Sequence, residues 1–225
     1  MKSNAEMHNL IDSVFFALQD KKCMIVKYSG FDHLRPGNDI DILCDKKSDV
    51  SKVINSVLNG LISQRDRIRI CENDCIHIDI IRDEEIYLRF DLIDNFNSFK
   101  KITIRESYAE ESLNRRVRSE HTFNGIKYPM FYSREDDDLV IRFLEFVENY
   151  NDRPDKIKHY DYIMDIISKD SAKACFLKTL GEIVEMPSIV LRHGYLFPPK
   201  YSIRKHLSLQ ISKVKSLTKK LFKRS

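Results

Sequence analysis

The stretch that decides the fold of this chain is Asn38-Asp39-Ile40-Asp41-Ile42-Leu43. Acidic and apolar residues alternate in it, and in a β-strand residues i and i+2 point to the same face. Asp39 and Asp41 would therefore project together from one side, while Ile40 and Ile42 pack on the other. Two ionised carboxylates side by side repel each other unless a cation lies with them. The pattern predicts a strand that holds a divalent cation; the plain alternative is an exposed acidic strand end.

Paired carboxylates of this kind suit one cation in particular. Mg2+ prefers oxygen ligands, keeps several waters and takes substrate phosphates as its remaining ligands. We therefore interpret Asp39 and Asp41 as ligands of Mg2+, or of Mn2+, and expect a nucleotide beside them. The residues before the pair favour this interpretation, because Cys23–Tyr28 predicts a strand, Ser29-Gly30 a tight corner and 31–38 a turn-rich connection.

Two further strands, over 76–81 and 86–93, are predicted to form a hairpin that carries more carboxylates. Asp91 lies in an apolar strand and is our choice for the third metal ligand or general base. Asp79 is the second choice, and in a hairpin both side chains could face one site. His77 shares a face with Asp79 and could touch a substrate, although a single histidine in a strand is more often structural.

The order of these motifs resembles the nucleotidyltransferase superfamily, the fold group of DNA polymerase β and the antibiotic-modifying nucleotidyltransferases. Its signature is a Gly-Ser corner, a short connection and then a hydrophobic-Asp-hydrophobic-Asp pattern; here the corner has the inverted order Ser29-Gly30. The resemblance implies a two-metal transfer in which Asp39 and Asp41 bridge both ions and Asp91 completes one shell beside the acceptor hydroxyl.

The resemblance also implies where the phosphates of a nucleotide would lie. The expected nucleotide-binding residues are the corner and the basic residues close to the motifs in sequence: Ser29, Gly30, Lys27, Arg35 and Arg89. In the helical half, Lys156, Lys158, His159 or Tyr162 could contact the base or a phosphate. For each basic residue the plain alternative is a solvated side chain.

The composition sets outer bounds on the protein. The chain has 225 residues, of which 42% are hydrophobic and 32% charged, so it is globular rather than disordered. It has neither a signal-peptide core nor an apolar run near the ~20 residues of a membrane span, so we expect a cytoplasmic protein. Its five cysteines form an odd set, most simply free thiols, and Cys71-x3-Cys75 is only a weak metal signal.

The last 26 residues, 200–225, are strongly basic, with nine Lys or Arg and no acid. Apolar residues recur there at helical spacing, which predicts a basic amphipathic helix. Such a helix commonly lies on an anionic membrane surface. The alternatives are a helix that packs on the body or self-associates. Nucleic acid is less favoured, because Tyr201 and Phe222 are the only aromatic residues of this tail.

We therefore expect an α+β protein with a small mixed β-sheet nucleotidyltransferase core flanked by helices, a helical C-terminal half and a basic amphipathic tail helix. The expected divisions are a catalytic domain over 1–130, a helical domain over 131–199 and the tail over 200–225. Asp136–Asp138 opens a predicted helix, and the helix dipole explains these acids better than a metal site does.

The wider motif order resembles nucleotidyltransferase-like proteins found among bacterial surface-polysaccharide genes. This implies an enzyme that moves a phosphate-containing group from a nucleotide or nucleotide-activated donor onto a sugar, a lipid-linked sugar or a small alcohol, with the tail against the inner membrane. Two alternatives stay open: a catalytically inactive binding module that keeps the fold, and a toxin–antitoxin-type nucleotidyltransferase that modifies protein or RNA.

Overall fold

The computed structural model describes residues 2–28, 30–31, 34–96, 99, 102–149, 153, 156–168 and 170–185. Ser29 at the predicted corner and the tail over 200–225 lie outside the described residues, so the expectations for both stay predictions. None of the described helices has the length and apolar character needed to cross a membrane.

The described chain forms helices and strands in the expected mixture. The first half contains α1 (Lys2–Ala17), β1 (Cys23–Ile25), β2 (Asp39–Cys44), α2 (Lys47–Leu61), β3 (Asp66–Glu72), β4 (Ile76–Arg82) and β5 (Glu85–Ile93). The second half contains α3 (Tyr108–Asn114), β6 (Val117–Phe123), β7 (Ile126–Tyr132), α4 (Glu135–Asn149), α5 (Ile157–Ile167) and α6 (Asp170–Ile183). The predicted α+β class with a helical second half is confirmed.

The seven strands of the described residues belong to one mixed sheet in the order β3-β4-β5-β2-β1-β7-β6. β2 lies in the middle and runs parallel to β5 and antiparallel to β1. A hairpin turn at Asn124-Gly125 joins β6 to β7, with φ of 50° and 79° at its two turn residues. Positive φ at both positions is what a tight hairpin turn demands and what Asn-Gly tolerates.

Two hydrophobic clusters cover opposite faces of the sheet. Ile40 and Ile42 of β2 are buried in the cluster that includes α1 and α2. Leu43, on the other face of β2, is buried with the helices α4, α5 and α6. Because Leu43 has the same parity as Asp39 and Asp41, the face that carries the acidic pair is the face on which the helical half packs. The apolar alternation of β2 thus places the helices beside the two carboxylates.

The acidic start of α4 has a role beyond the helix dipole. The Asp137 side chain is fully buried, and it accepts hydrogen bonds from Tyr108 Oη at 3.0 Å and Arg115 Nε at 2.9 Å. Asp138 accepts from Ser133 Oγ and Arg142 Nε. The dipole explanation was therefore incomplete, because these carboxylates tie α4 to α3 and to the residues that follow β7.

We expect Asp137→Ala to destabilise the protein by about 3–5 kcal/mol, because it leaves a guanidinium and a buried hydroxyl without their acceptor. Tyr108→Phe removes one hydrogen bond and should cost only about 1 kcal/mol. Urea unfolding monitored by circular dichroism measures both. Equal losses in the two variants would contradict a dominant role for the Arg115 ion pair.

Candidate active site

The register of two parallel strands brings the predicted carboxylates side by side. Asp41 of β2 is the direct partner of Asp91 of β5, and Asp39 is the partner of Arg89. Directly paired residues of neighbouring strands project to the same face of a sheet. Asp39, Asp41 and Asp91 therefore share one face, and β4 adds His77 to it as the antiparallel partner of Asp91.

The negative charges of Asp39, Asp41 and Asp91 act on one another. Burial raises the pKa of Asp41, and the charge of Asp39 raises it further against the opposing effect of Lys27. Burial likewise raises the pKa of Asp91, with His77 lowering it and the charges of Asp41 and Asp39 raising it. Carboxylates whose charges destabilise one another in this way are suited to bind a hard divalent cation.

Two observations argue against a preformed metal site. Among the described residues, no group of three or more His, Cys, Asp and Glu side chains is placed to hold a metal ion. The cation that Asp41 contacts is the Lys27 ammonium, 2.9 Å from Oδ2. The donor chemistry of Asp39 and Asp41 fits Mg2+, and a metal at Asp41 would compete with Lys27.

Lys27 connects the sheet to the helical half. Its ammonium lies between Asp41 and Glu145 of α4, 3.0 Å from Glu145 Oε2. Its backbone has φ of 57°, a left-handed conformation that is rare for a residue with a side chain, and the Arg142 guanidinium donates to its carbonyl oxygen. Burial opposes the charged form, but the two carboxylates outweigh burial and raise the pKa of Lys27. Lys27 is thus ion-paired with two carboxylates, whereas the family resemblance implied that it binds a phosphate.

Glu145 is a site residue that the sequence analysis missed. It accepts a hydrogen bond from Lys156, and His159 Nε2 lies 3.5 Å from it. Burial disfavours the charge of Glu145, yet Lys27 and Lys156 hold its pKa at about 2. Burial lowers the pKa of His159 to about 4, so its imidazole is neutral at neutral pH. The available sequence signal was an acid flanked by apolar Leu144 and Phe146 within a helix.

Asp79 and Arg89 are engaged with each other. The Asp79 side chain is fully buried and accepts from Arg89 Nε at 2.6 Å and from Arg69 Nε at 3.0 Å. Burial opposes ionisation, but the two guanidinium groups outweigh it and lower the pKa of Asp79. Both carboxylate oxygens of Asp79 are therefore already hydrogen-bonded to guanidinium groups. Arg89 Nε also lies 3.8 Å from Asp91, and Arg35 is exposed and donates to the carbonyl of Leu34.

His77 holds the third carboxylate. Its Nδ1 is 2.6 Å from Asp91 Oδ1, and its Nε2 is 3.1 Å from the Cys75 sulfur. The histidine that the sequence placed on the face of Asp79 is therefore a hydrogen-bond partner of Asp91. His77 contacts only Oδ1 of Asp91 in this way and does not occupy its second carboxylate oxygen.

A cleft of about 290 Å³ opens where β2 begins, between the sheet and the helical half. Asp39 and Asp41 line it from the sheet side. The opposite wall is basic and comes from α4, α5 and the residues before α5: Arg142, Arg153, Lys156, Lys158 and His159. Gly30 also lines it, and its φ of 92° explains a glycine at the corner. Asp91, Arg35 and Arg89 are not among the described residues that line the cleft, and Tyr162 packs its ring near Arg142 instead.

Comparison with known proteins gives only distant likenesses. No protein-family model matches the chain, and no curated protein matches it. A crystal structure of a candidate nucleotidyltransferase from H. pylori has a TM-score of 0.38 at 12% identity, over 86% of this chain and 92% of that one. The Megavirus polyadenylate synthase has a TM-score of 0.42 at 11% identity, over 80% of this chain but 36% of that one. At these values neither structure assigns a family to the chain.

We expect Lys27→Met to lower the free energy of unfolding by about 3–5 kcal/mol, because it leaves Asp41 and Glu145 buried without their shared cation. Lys27→Arg keeps the charge and should lose clearly less. Urea unfolding at pH 7 measures both variants. Equal destabilisation by Met and Arg would show that side-chain shape, and not charge, matters at this position.

The neutral His159 predicts a pH dependence of stability. Its pKa falls from 6.5 to about 4 in the folded protein, so the unfolded chain binds the proton first and stability decreases as the pH drops below 6.5. Glu145 adds a further loss only below its ordinary value of 4.5.

Between pH 7 and pH 5, His159→Gln should therefore lose less stability than the wild type, as measured by urea unfolding. His121→Gln, which removes a histidine of β6 outside the cleft, is the matched control for the loss of one histidine. A His159→Gln protein with the wild-type pH dependence would contradict this assignment.

Proposed function

We propose that this chain is a metal-dependent transferase that moves a nucleotidyl or other phosphorus-containing group onto a hydroxyl acceptor. The observation that supports it is one cleft with a pair of carboxylates, Asp39 and Asp41, on one side and a basic wall on the other. A metal–nucleotide complex is complementary to both sides of this cleft. Its cation binds carboxylate oxygens, and its phosphates bind Lys and Arg side chains.

In this proposal Asp39 and Asp41, with Asp91 beside them, hold Mg2+ or Mn2+. When bound, the metal neutralises the phosphate charge that develops during transfer. Arg153 and Lys158 provide positive charge for the phosphate oxygens of the donor, whereas the charge of Lys156 is shared with Glu145. Most of the catalysis is then positioning and charge neutralisation.

Asp91 is the proposed general base for the acceptor hydroxyl. A carboxylate whose pKa is raised by burial is a better base near neutral pH than an ordinary one. The His77 hydrogen bond holds one oxygen of Asp91. The second oxygen of Asp91 is the one that would take the proton.

The acceptor that we propose is a sugar, a lipid-linked sugar or a small alcohol in bacterial surface-polysaccharide biosynthesis. The order of the Asp-Ile-Asp-Ile and His-Ile-Asp-Ile motifs supports it, and a cleft of about 290 Å³ has the size of a small-molecule site. The basic tail over 200–225 would hold a cytoplasmic protein at an anionic membrane, where a lipid-linked acceptor lies.

A second candidate function has one observation in its favour. The Lys27 ammonium already neutralises Asp41, and a fixed internal cation lets a nucleotide bind without a metal. The chain would then be a catalytically inactive module that binds a nucleotide through the basic wall.

Thermal unfolding with Mn2+ and each nucleoside triphosphate or nucleotide sugar separates the two candidates. At a hundredfold excess over Kd, a bound ligand should raise the Tm of the wild type by about 5–10 °C. A transferase needs Mn2+ for this shift, and Asp41→Asn should abolish it. Asp45→Asn, an exposed acid directly after β2, is the control and should keep it.

Three outcomes decide the question. A shift that requires Mn2+ and is lost in Asp41→Asn, followed by transfer of labelled phosphorus to an alcohol, supports the transferase. A shift that is equal with and without Mn2+ supports the binding module. A wild-type protein that responds to none of the ligands contradicts both.

A further inference from the structure

A row of alternating charges crosses the site face of the sheet outside the cleft. The registers of β4 with its neighbours β3 and β5 pair Asp79 with Arg69 on one side and with Arg89 on the other. The β2–β5 register then pairs Arg89 with Asp39. Because directly paired residues project to the same face, this row begins at the acidic pair and runs out to β3, at one end of the strand order.

Asp79 holds two guanidinium groups in fixed positions on this face. Its carboxylate is fully buried and accepts hydrogen bonds from Nε and Nη2 of Arg69 and from Nε and Nη2 of Arg89, at 2.6 to 3.1 Å. None of these four bonds uses Nη1. Each arginine therefore keeps a pair of N–H donors for a further acceptor, on a planar group that is already oriented.

The charges of this triad do not cancel. One guanidinium would neutralise Asp79, so the second leaves a net positive charge. The Arg69 side chain is 53% exposed and that of Arg89 29% exposed, so the charge is accessible to a ligand. The Asp91 carboxylate lies 3.8 Å from Arg89 Nε and offsets part of the charge there. In the proposed function, however, Asp91 and Asp39 bind the cation, and Arg69 lies two strands away from Asp91.

The donor nucleotide does not account for these two arginines. Neither Arg69 nor Arg89 is among the described residues that line the cleft, where the basic wall faces Asp39 and Asp41. The strands β3 and β5 are two strand spacings apart, or about 10 Å. A molecule that reaches Asp91 from the side of β3 would therefore cross the two guanidinium groups.

We propose that Arg69 and Arg89 bind a phosphate or diphosphate group of the acceptor. This assignment rests on the proposed function, in which the acceptor hydroxyl lies at Asp91. Phosphate oxygens match the paired N–H donors of a guanidinium group, and the charged hydrogen bonds between them are strong. Among the acceptors proposed above, the site selects a sugar phosphate or a sugar joined to a lipid through a diphosphate, and it disfavours an uncharged alcohol.

Isothermal titration calorimetry with glucose 1-phosphate, run with and without Mg2+ and compared with glucose, tests the soluble form of this acceptor. Arg69→Gln should weaken binding of the phosphate about tenfold or more, because it removes a charged donor. Two control variants should keep the wild-type affinity. Arg118→Gln removes an exposed arginine of β6, at the other end of the strand order, and Lys158→Gln removes a charge from the cleft wall.

Vesicle flotation tests the lipid-linked form. Phosphatidylcholine vesicles with and without a polyprenyl diphosphate are mixed with the wild type and with Arg69→Gln. Flotation that needs the diphosphate and falls in Arg69→Gln identifies a lipid-linked acceptor, whereas Arg69-dependent binding of glucose 1-phosphate alone identifies a soluble one. If Arg69→Gln changes neither measurement, or if the wild type binds neither probe, the proposal is overturned.

A measurement on the wild type covers an Arg69→Gln protein that does not fold. Phenylglyoxal modifies accessible guanidinium groups, and peptide mass spectrometry maps the modified residues. Inorganic pyrophosphate at ten times its Kd should slow modification of Arg69 about tenfold and leave Arg118 unchanged. Modification of Arg69 that pyrophosphate does not slow, or slows no more than that of Arg118, overturns the proposal.

These measurements use no nucleotide, so their outcome is separate from that of the nucleotide screen. If phosphate binding at Arg69 fails, a transferase with an uncharged acceptor still stands. If the nucleotide screen fails while Arg69 binds phosphate, the anion site stands and the transferase does not.

Discussion

The charged contact on which the site depends is that of Lys27 with two carboxylates from different parts of the chain. Asp41 belongs to the sheet and Glu145 to the helical half, and the ammonium lies within 3.0 Å of both. Taking such charges out of water costs several kcal/mol per ion unless each finds its partner. The helical half can therefore cover the acidic face of the sheet only in the position where Glu145 meets Lys27. The cleft is the space that this arrangement leaves open.

Much of the sheet could be predicted from local pattern. A few neighbouring residues are enough to indicate each of these strands and turns. Examples are the alternation over 39–44, the hairpin that carries Asp79 and Asp91, and the Asn124-Gly125 turn. The short helix α3 was not predicted, because seven residues give too little periodicity to recognise. The family resemblance implied only that Asp91 lies near Asp39 and Asp41, and the parallel pairing of Asp41 with Asp91 was not predicted, since no local pattern specifies which strands become neighbours.

The parts of the site that escaped prediction are those made by long-range contacts. Lys27 and Glu145 are 118 positions apart, and each alone resembles an ordinary charged residue. Asp79 was the second choice after Asp91 in sequence, and its hydrogen bonds with Arg69 and Arg89 could not be foreseen from local pattern. The burial of Asp137 could not be predicted from local sequence either. Its partner Tyr108 lies on α3, and its partner Arg115 directly follows α3.

Helix α4 holds Lys27 at two points, since Arg142 donates to its main-chain oxygen and Glu145 accepts from its ammonium. The same helix is anchored at its other end by Asp137 and by the contact of Asp136 with Thr179 of α6. Its 15 residues form a stiff rod of about 22 Å. Through its contacts at both ends, α4 therefore connects α6 with the lysine that neutralises Asp41.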